Sequence, residues 1–72
     1  MNQIVDQFKV EGYQVTVLED EDGDYSWIVV TPEGDKYESD WFERNESAKA
    51  AANRAVSNLM AGRNPYVRDD ES

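Results

Sequence analysis

Tyr25-Ser26-Trp27-Ile28-Val29-Val30-Thr31, followed at once by Pro32-Glu33-Gly34-Asp35, decides the fold. The first seven residues are nearly all β-branched or aromatic, the composition of a strand, and apolar groups at both odd and even positions make that strand central. Alternation puts Tyr25, Trp27 and Val29 on one face and Ile28 and Val30 on the other. Pro32 fixes φ at the first turn position and Gly34 accepts a left-handed backbone, so the chain reverses into a further strand over Lys36 to Phe42. Upstream, Tyr13-Gln-Val-Thr-Val-Leu18 alternates in the same way, and Asp22-Gly23 supplies the positive φ for a hairpin between these two strands. Three antiparallel strands result.

Beyond Phe42 the period changes. Ala48, Ala52, Ala55, Val56, Leu59 and Met60 recur at helical spacing, with Asn45 in position to cap a helix from Glu46 to Met60 and Gly62 and Pro65 in position to stop it. The small alanines let the helix approach the sheet closely. At the other end, Ile4, Val5 and Phe8 also fall at helical spacing, which predicts a short N-terminal helical turn or a frayed arm over Gln3 to Phe8. The expected architecture is therefore one α+β domain over residues 1–64, with a three-stranded antiparallel sheet packed on a C-terminal helix, a short helix in front, and residues 65–72 as a flexible acidic tail.

The chain has 72 residues, 39% of them hydrophobic and 32% charged, which bounds it to one small core. Without cysteine there is no disulfide, thiolate zinc site or thiol nucleophile, and without histidine the commonest metal ligand and general base is missing. No nucleophile with an adjacent base of the usual kind can be assembled, so no catalytic residue and no cofactor is assigned. The longest apolar runs, such as Ile28 to Val30, are far too short to span a bilayer, and no basic region precedes an apolar stretch at the N-terminus. Membrane binding is not expected, and the cytoplasm is the default location.

Charge is the most informative property, with a formal net of -9. Residues 11–43 carry eleven acids against the single base Lys36, whereas residues 44–68 carry five bases against Glu46. Such a field repels nucleic acid and draws in basic surfaces. Asp20, Asp22 and Asp24 alternate as calcium-loop carboxylates do, but a calcium loop starting at Asp20 needs glycine at its sixth position and glutamate at its twelfth, where this chain has Tyr25 and Thr31. The segment reads as an acidic hairpin tip without a metal. Candidate partner-binding residues are the acids Glu19, Asp20, Glu21, Asp22, Asp24, Glu33, Asp35, Glu38 and Asp40, together with Trp27 or Trp41 as an apolar anchor.

The helix Glu46-Ser47-Ala48-Lys49-Ala50-Ala51-Ala52-Asn53-Arg54-Ala55-Val56, with three strands before it, resembles the alanine-rich last helix of the double-stranded RNA-binding domain family. That family presents adjacent lysines just before its Ala-Lys pair to clamp phosphates, and the matching stretch here is Asn45-Glu46. The resemblance thus implies the fold without strong RNA binding. In size, acidity and lack of cysteine the chain also resembles small phage-encoded inhibitors of the anti-CRISPR or DNA-mimic type. The leading expectation is a protein-binding module whose acids mimic phosphates on a basic, nucleic-acid-binding protein. The alternative is a structural or regulatory homodimer paired through a sheet edge or the Trp27 face.

Overall fold

The computed structural model describes residues 2–66 and shows an α+β fold of four antiparallel strands and one helix. The strands β1 (Gln3–Val10), β2 (Tyr13–Glu19), β3 (Tyr25–Val30) and β4 (Lys36–Glu38) lie side by side in chain order, and the helix α1 (Asn45–Met60) covers one face. The sheet has four strands rather than three, because Gln3 to Phe8 is neither helix nor arm but the greater part of β1. The physical reason lies in the two ends of that segment. Glu11 and Gly12 both take positive φ, +50° and +85°, and so form a two-residue turn that sets Val10 opposite Tyr13 and zips β1 onto β2. A bulge between Ile4 and Asp6 then shifts the alternation by one residue, which is why the apolar spacing of this strand reads as helical.

Pairing of β2 with β3 is regular from Gln14–Val30 to Glu19–Tyr25, so Val15, Val17, Trp27 and Val29 share the face beneath the helix. Val15, Trp27 and Val29 pack with Ala52, Ala55 and Val56 in one cluster, Val17 and Ala48 are buried as well, and Phe8, Val10, Tyr13, Tyr37, Phe42 and Leu59 close the rim of this core. Met60, expected in the apolar stripe, is half-exposed at the last turn of α1. The opposite face of the sheet carries Leu18, Ile28 and Val30, each partly exposed, so the N-terminal segment extends the sheet instead of covering it.

β4 is shorter than the predicted Lys36–Phe42 strand. Glu38 faces Ile28 and Phe42 faces Tyr25, so three residues of this segment (Ser39, Asp40, Trp41) stand against two of β3 (Ser26, Trp27). The extra residue is a bulge. The Ser39 hydroxyl accepts the Trp27 N–H at 2.8 Å and donates to the Asp40 carbonyl, keeping that N–H satisfied where the ladder breaks.

The helix begins one residue earlier than expected. Arg44, in extended conformation, is the capping residue, and Asn45, predicted to cap, is the first helical residue with its Oδ1 buried and unpartnered. Gly62 at φ +76° ends the helix as predicted, with the Gly62 N–H on the Leu59 carbonyl and the Arg63 N–H on the Asn58 carbonyl. Pro65 is buried and Tyr66 returns to the domain, its ring stacked at 6.0 Å on Trp27 and its hydroxyl donating to the Glu38 carbonyl at 2.8 Å. The packed unit thus includes residues 65 and 66, and the rest of the expected flexible tail lies outside the described residues. Among the described residues, no helix is long and apolar enough to cross a membrane.

Candidate functional site

The two tryptophans have opposite fates. Trp27 is 3% exposed, clamped between α1 and Tyr66, and its indole Nε1 is buried without a hydrogen-bond partner. It therefore belongs to the core and offers no ring to a partner. Trp41 is 51% exposed. Counting from Tyr37, which packs on the core, strict alternation would turn Trp41 inward and Phe42 outward; the bulge reverses this, seating Phe42 on the core rim and leaving Trp41 in solvent.

Trp41 stands at one end of the sheet. Tyr25 and Phe42 exchange backbone hydrogen bonds of 2.7 and 2.6 Å, which holds the β2–β3 turn beside the segment leading into α1. Asp20, Glu21, Asp22 and Asp24 in that turn thereby come to the same end of the sheet as Asp40 and Glu43 of the other connection and Glu46 in the first turn of α1, with Arg44 the base among them. Sequence reading placed Glu43 and Glu46 outside the candidate site, since only the pairing of Tyr25 with Phe42 brings them to this pole.

The acids do not act alike. Asp20 is structural: its Oδ1 accepts the N–H groups of Asp22 and Asp24, both at 2.9 Å, and its backbone N–H reaches the Asp24 carbonyl at 2.9 Å, which closes the turn. Glu19 accepts the Tyr25 hydroxyl at 3.4 Å, and its charge beside the ring pushes the Tyr25 phenol above its usual range, with desolvation adding to the effect. Asp22, Asp40 and Glu43 are exposed and Asp24 is half-buried. Among the described residues no three acidic side chains converge in the manner of a metal-holding group.

Glu33 and Asp35 lie at the opposite end of the sheet, in the β3–β4 turn, and Glu38 sits on β4 in an exposed ion pair of 3.5 Å with Lys36. The acids of the two hairpin turns thus lie at opposite ends of the sheet, and Trp41 is at the end that holds the β2–β3 turn. Of the helix bases, Lys49 is committed to Asp6 on β1 at 2.8 Å, and this hydrogen bond holds the Asp6 carboxyl below its usual range. No protein-family model, no curated protein and no solved structure matches the chain.

Proposed function

We infer that the chain is a non-catalytic protein-binding module, of the type of small phage-encoded inhibitors, that lays its acidic pole on a basic nucleic-acid-binding surface of a partner protein. The observation that supports this reading is Trp41, a large ring left half in solvent, with the exposed acids Asp40 and Glu43 beside it in the chain. Indole rings that become desolvated on docking are frequent energetic anchors of protein interfaces, and a surrounding field of one sign steers a partner of the other. Asp22, Asp24, Asp40 and Glu43 take the place of phosphates, and Trp41 supplies apolar affinity. Competition for the partner's surface is then both steric and electrostatic.

The test is affinity capture from a nuclease-treated cell extract. Proteins held by the parent chain are expected to be released by added DNA or RNA and by a high-salt wash, and to be lost with Trp41→Ala or with Asp22→Lys, Asp24→Lys and Asp40→Lys combined. Capture that ignores nucleic acid and these substitutions would remove the reading. So would tight binding of duplex RNA by the pure protein that Lys49→Glu and Arg54→Glu abolish, since the helix would then be the functional surface.

A further inference from the structure

The helix covers one face of the sheet, and the other face is not polar in the way an antiparallel sheet with one wet side usually is. Ser26, Ile28 and Val30 alternate along β3 with the buried Trp27 and Val29, so they point away from α1. Leu18 stands directly opposite Ser26, and Ile4 directly opposite Leu18, which puts all of them on the uncovered face. The bulge that seats Phe42 on the core rim turns Trp41 to this same side, at the position across from Ser26. Ser26 is only 7% exposed although it lies on the open face, so the larger side chains on either side of it close over it. One transverse row therefore runs Ile4, Leu18, Ser26, Trp41, and Ile28 and Val30 continue from it along β3. Three inter-strand gaps of roughly 4.8 Å make that row about 14 Å long. Trp41 is the end of an apolar strip and not an isolated ring.

Charge decides what this face can receive. The end of the sheet beside the row holds the acids of the β2–β3 turn with Asp40, Glu43 and Glu46, against Arg44. The other end holds Glu11, Glu33, Asp35 and Glu38 against Lys9 and Lys36, so it too has a net negative charge. A second copy laid face to face would set an acidic end on an acidic end in either orientation. Stacked sheets lie about 10 Å apart, close to the Debye length of about 8 Å at physiological salt, so screening does not remove that repulsion. Nucleic acid is repelled in the same way. From these features we propose that the docking surface is this open sheet face, and that its occupant is a protein segment whose apolar side chains cover the strip while lysines or arginines next to them meet Asp22, Asp24 and Asp40. The inference rests on the reading of the acidic pole given above and extends it from one ring to a face.

Two synthetic peptides test it on the full chain. Both carry the same block of lysines and have blocked ends; one continues in alternating isoleucine and threonine, the other in serine. Titrated into the labelled protein and followed by amide NMR at physiological salt, the isoleucine peptide is expected to bind about tenfold more tightly than the serine peptide. It should shift the amides of Leu18, Ser26 and Ile28 and the indole N–H of Trp41. Leu18→Thr combined with Ile28→Thr keeps residues suited to strands and should abolish most of that preference with an unchanged circular dichroism spectrum. Asp22→Lys with Asp24→Lys should weaken both peptides alike. Equal affinity for the two peptides, or shifts confined to the acidic turns or to α1, overturns the inference; the reading of the pole then stands if the aspartate substitutions still weaken binding. A preference for isoleucine that ignores those substitutions overturns the cationic occupant together with that reading, as does failure of both peptides to bind. Sedimentation of the peptide-free chain at twice its 8.2 kDa mass, reverting with the two threonine substitutions, would make a second copy the occupant and overturn it equally.

Discussion

Trp27 and Trp41 are fourteen positions apart, both within segments whose sequence predicts a strand, yet one is the largest side chain of the core and the other stands half in solvent. Residue type does not distinguish them. Trp27 lies on the sheet face that α1 covers and is closed over by Tyr66, whereas Trp41 is turned outward by one extra residue in the bulge, at the end of the sheet where two acidic connections meet. The first region concentrates stability and the second concentrates charge, so the two should respond to mutation in separable ways.

The largest expected effect is on the Trp27 side. Trp27→Ala should cost about 3–5 kcal/mol by urea unfolding, enough to consume most of the stability of so small a domain. Ala52→Arg should cost several kcal/mol by a different route, because a bulky cation would be forced into a position with no exposed surface. If either variant unfolded at the parent's urea midpoint, the packing of α1 on the sheet would be wrong.

Tyr66→Phe is a finer probe of the same region. It removes the hydroxyl that reaches the Glu38 carbonyl but keeps the stacked ring, and should cost about 0.5–1.5 kcal/mol. Tyr66→Ala should in addition shift the tryptophan emission to longer wavelength as Trp27 becomes hydrated; an unchanged spectrum would detach Tyr66 from the core.

On the Trp41 side stability should barely respond. Trp41→Ala is expected to change unfolding free energy by no more than about 0.5 kcal/mol, as for a surface substitution, while speeding dissociation from the captured partner. Asp22→Lys with Asp24→Lys should instead slow association and weaken its dependence on salt. A large loss of stability in Trp41→Ala would erase the contrast between the two rings.

The smallest effect concerns pH. The Asp6 carboxyl is held below its ordinary 3.8 chiefly by the hydrogen bond from Lys49. A carboxyl whose folded pKa is depressed contributes stability above its unfolded pKa and loses it as pH falls through the folded value. Parent and Lys49→Met should therefore differ in melting temperature at neutral pH and converge below pH 3.8, the difference being small because the pair is exposed.

Much of this was legible in the chain itself. Alternation and β-branched composition determine β2 and β3, the pairs Asp22-Gly23 and Pro32…Gly34 determine the reversals, and the alanine-rich period determines α1 and its stop at Gly62, because each is a local preference that the tertiary structure leaves in force. Composition likewise determines the net charge and the lack of histidine and cysteine. What only the tertiary structure decided are the places where one residue is inserted into the period of two. The bulge at Val5 hides β1 behind a helical spacing, and the bulge after Glu38 exchanges the fates of Trp41 and Phe42. The acidic pole has the same origin, since Asp20–Asp24 and Asp40–Glu46 are brought together by the pairing of Tyr25 with Phe42 and by nothing in the spacing of the acids. A period-two pattern carries no mark of where it slips, and long-range backbone pairing sets that position.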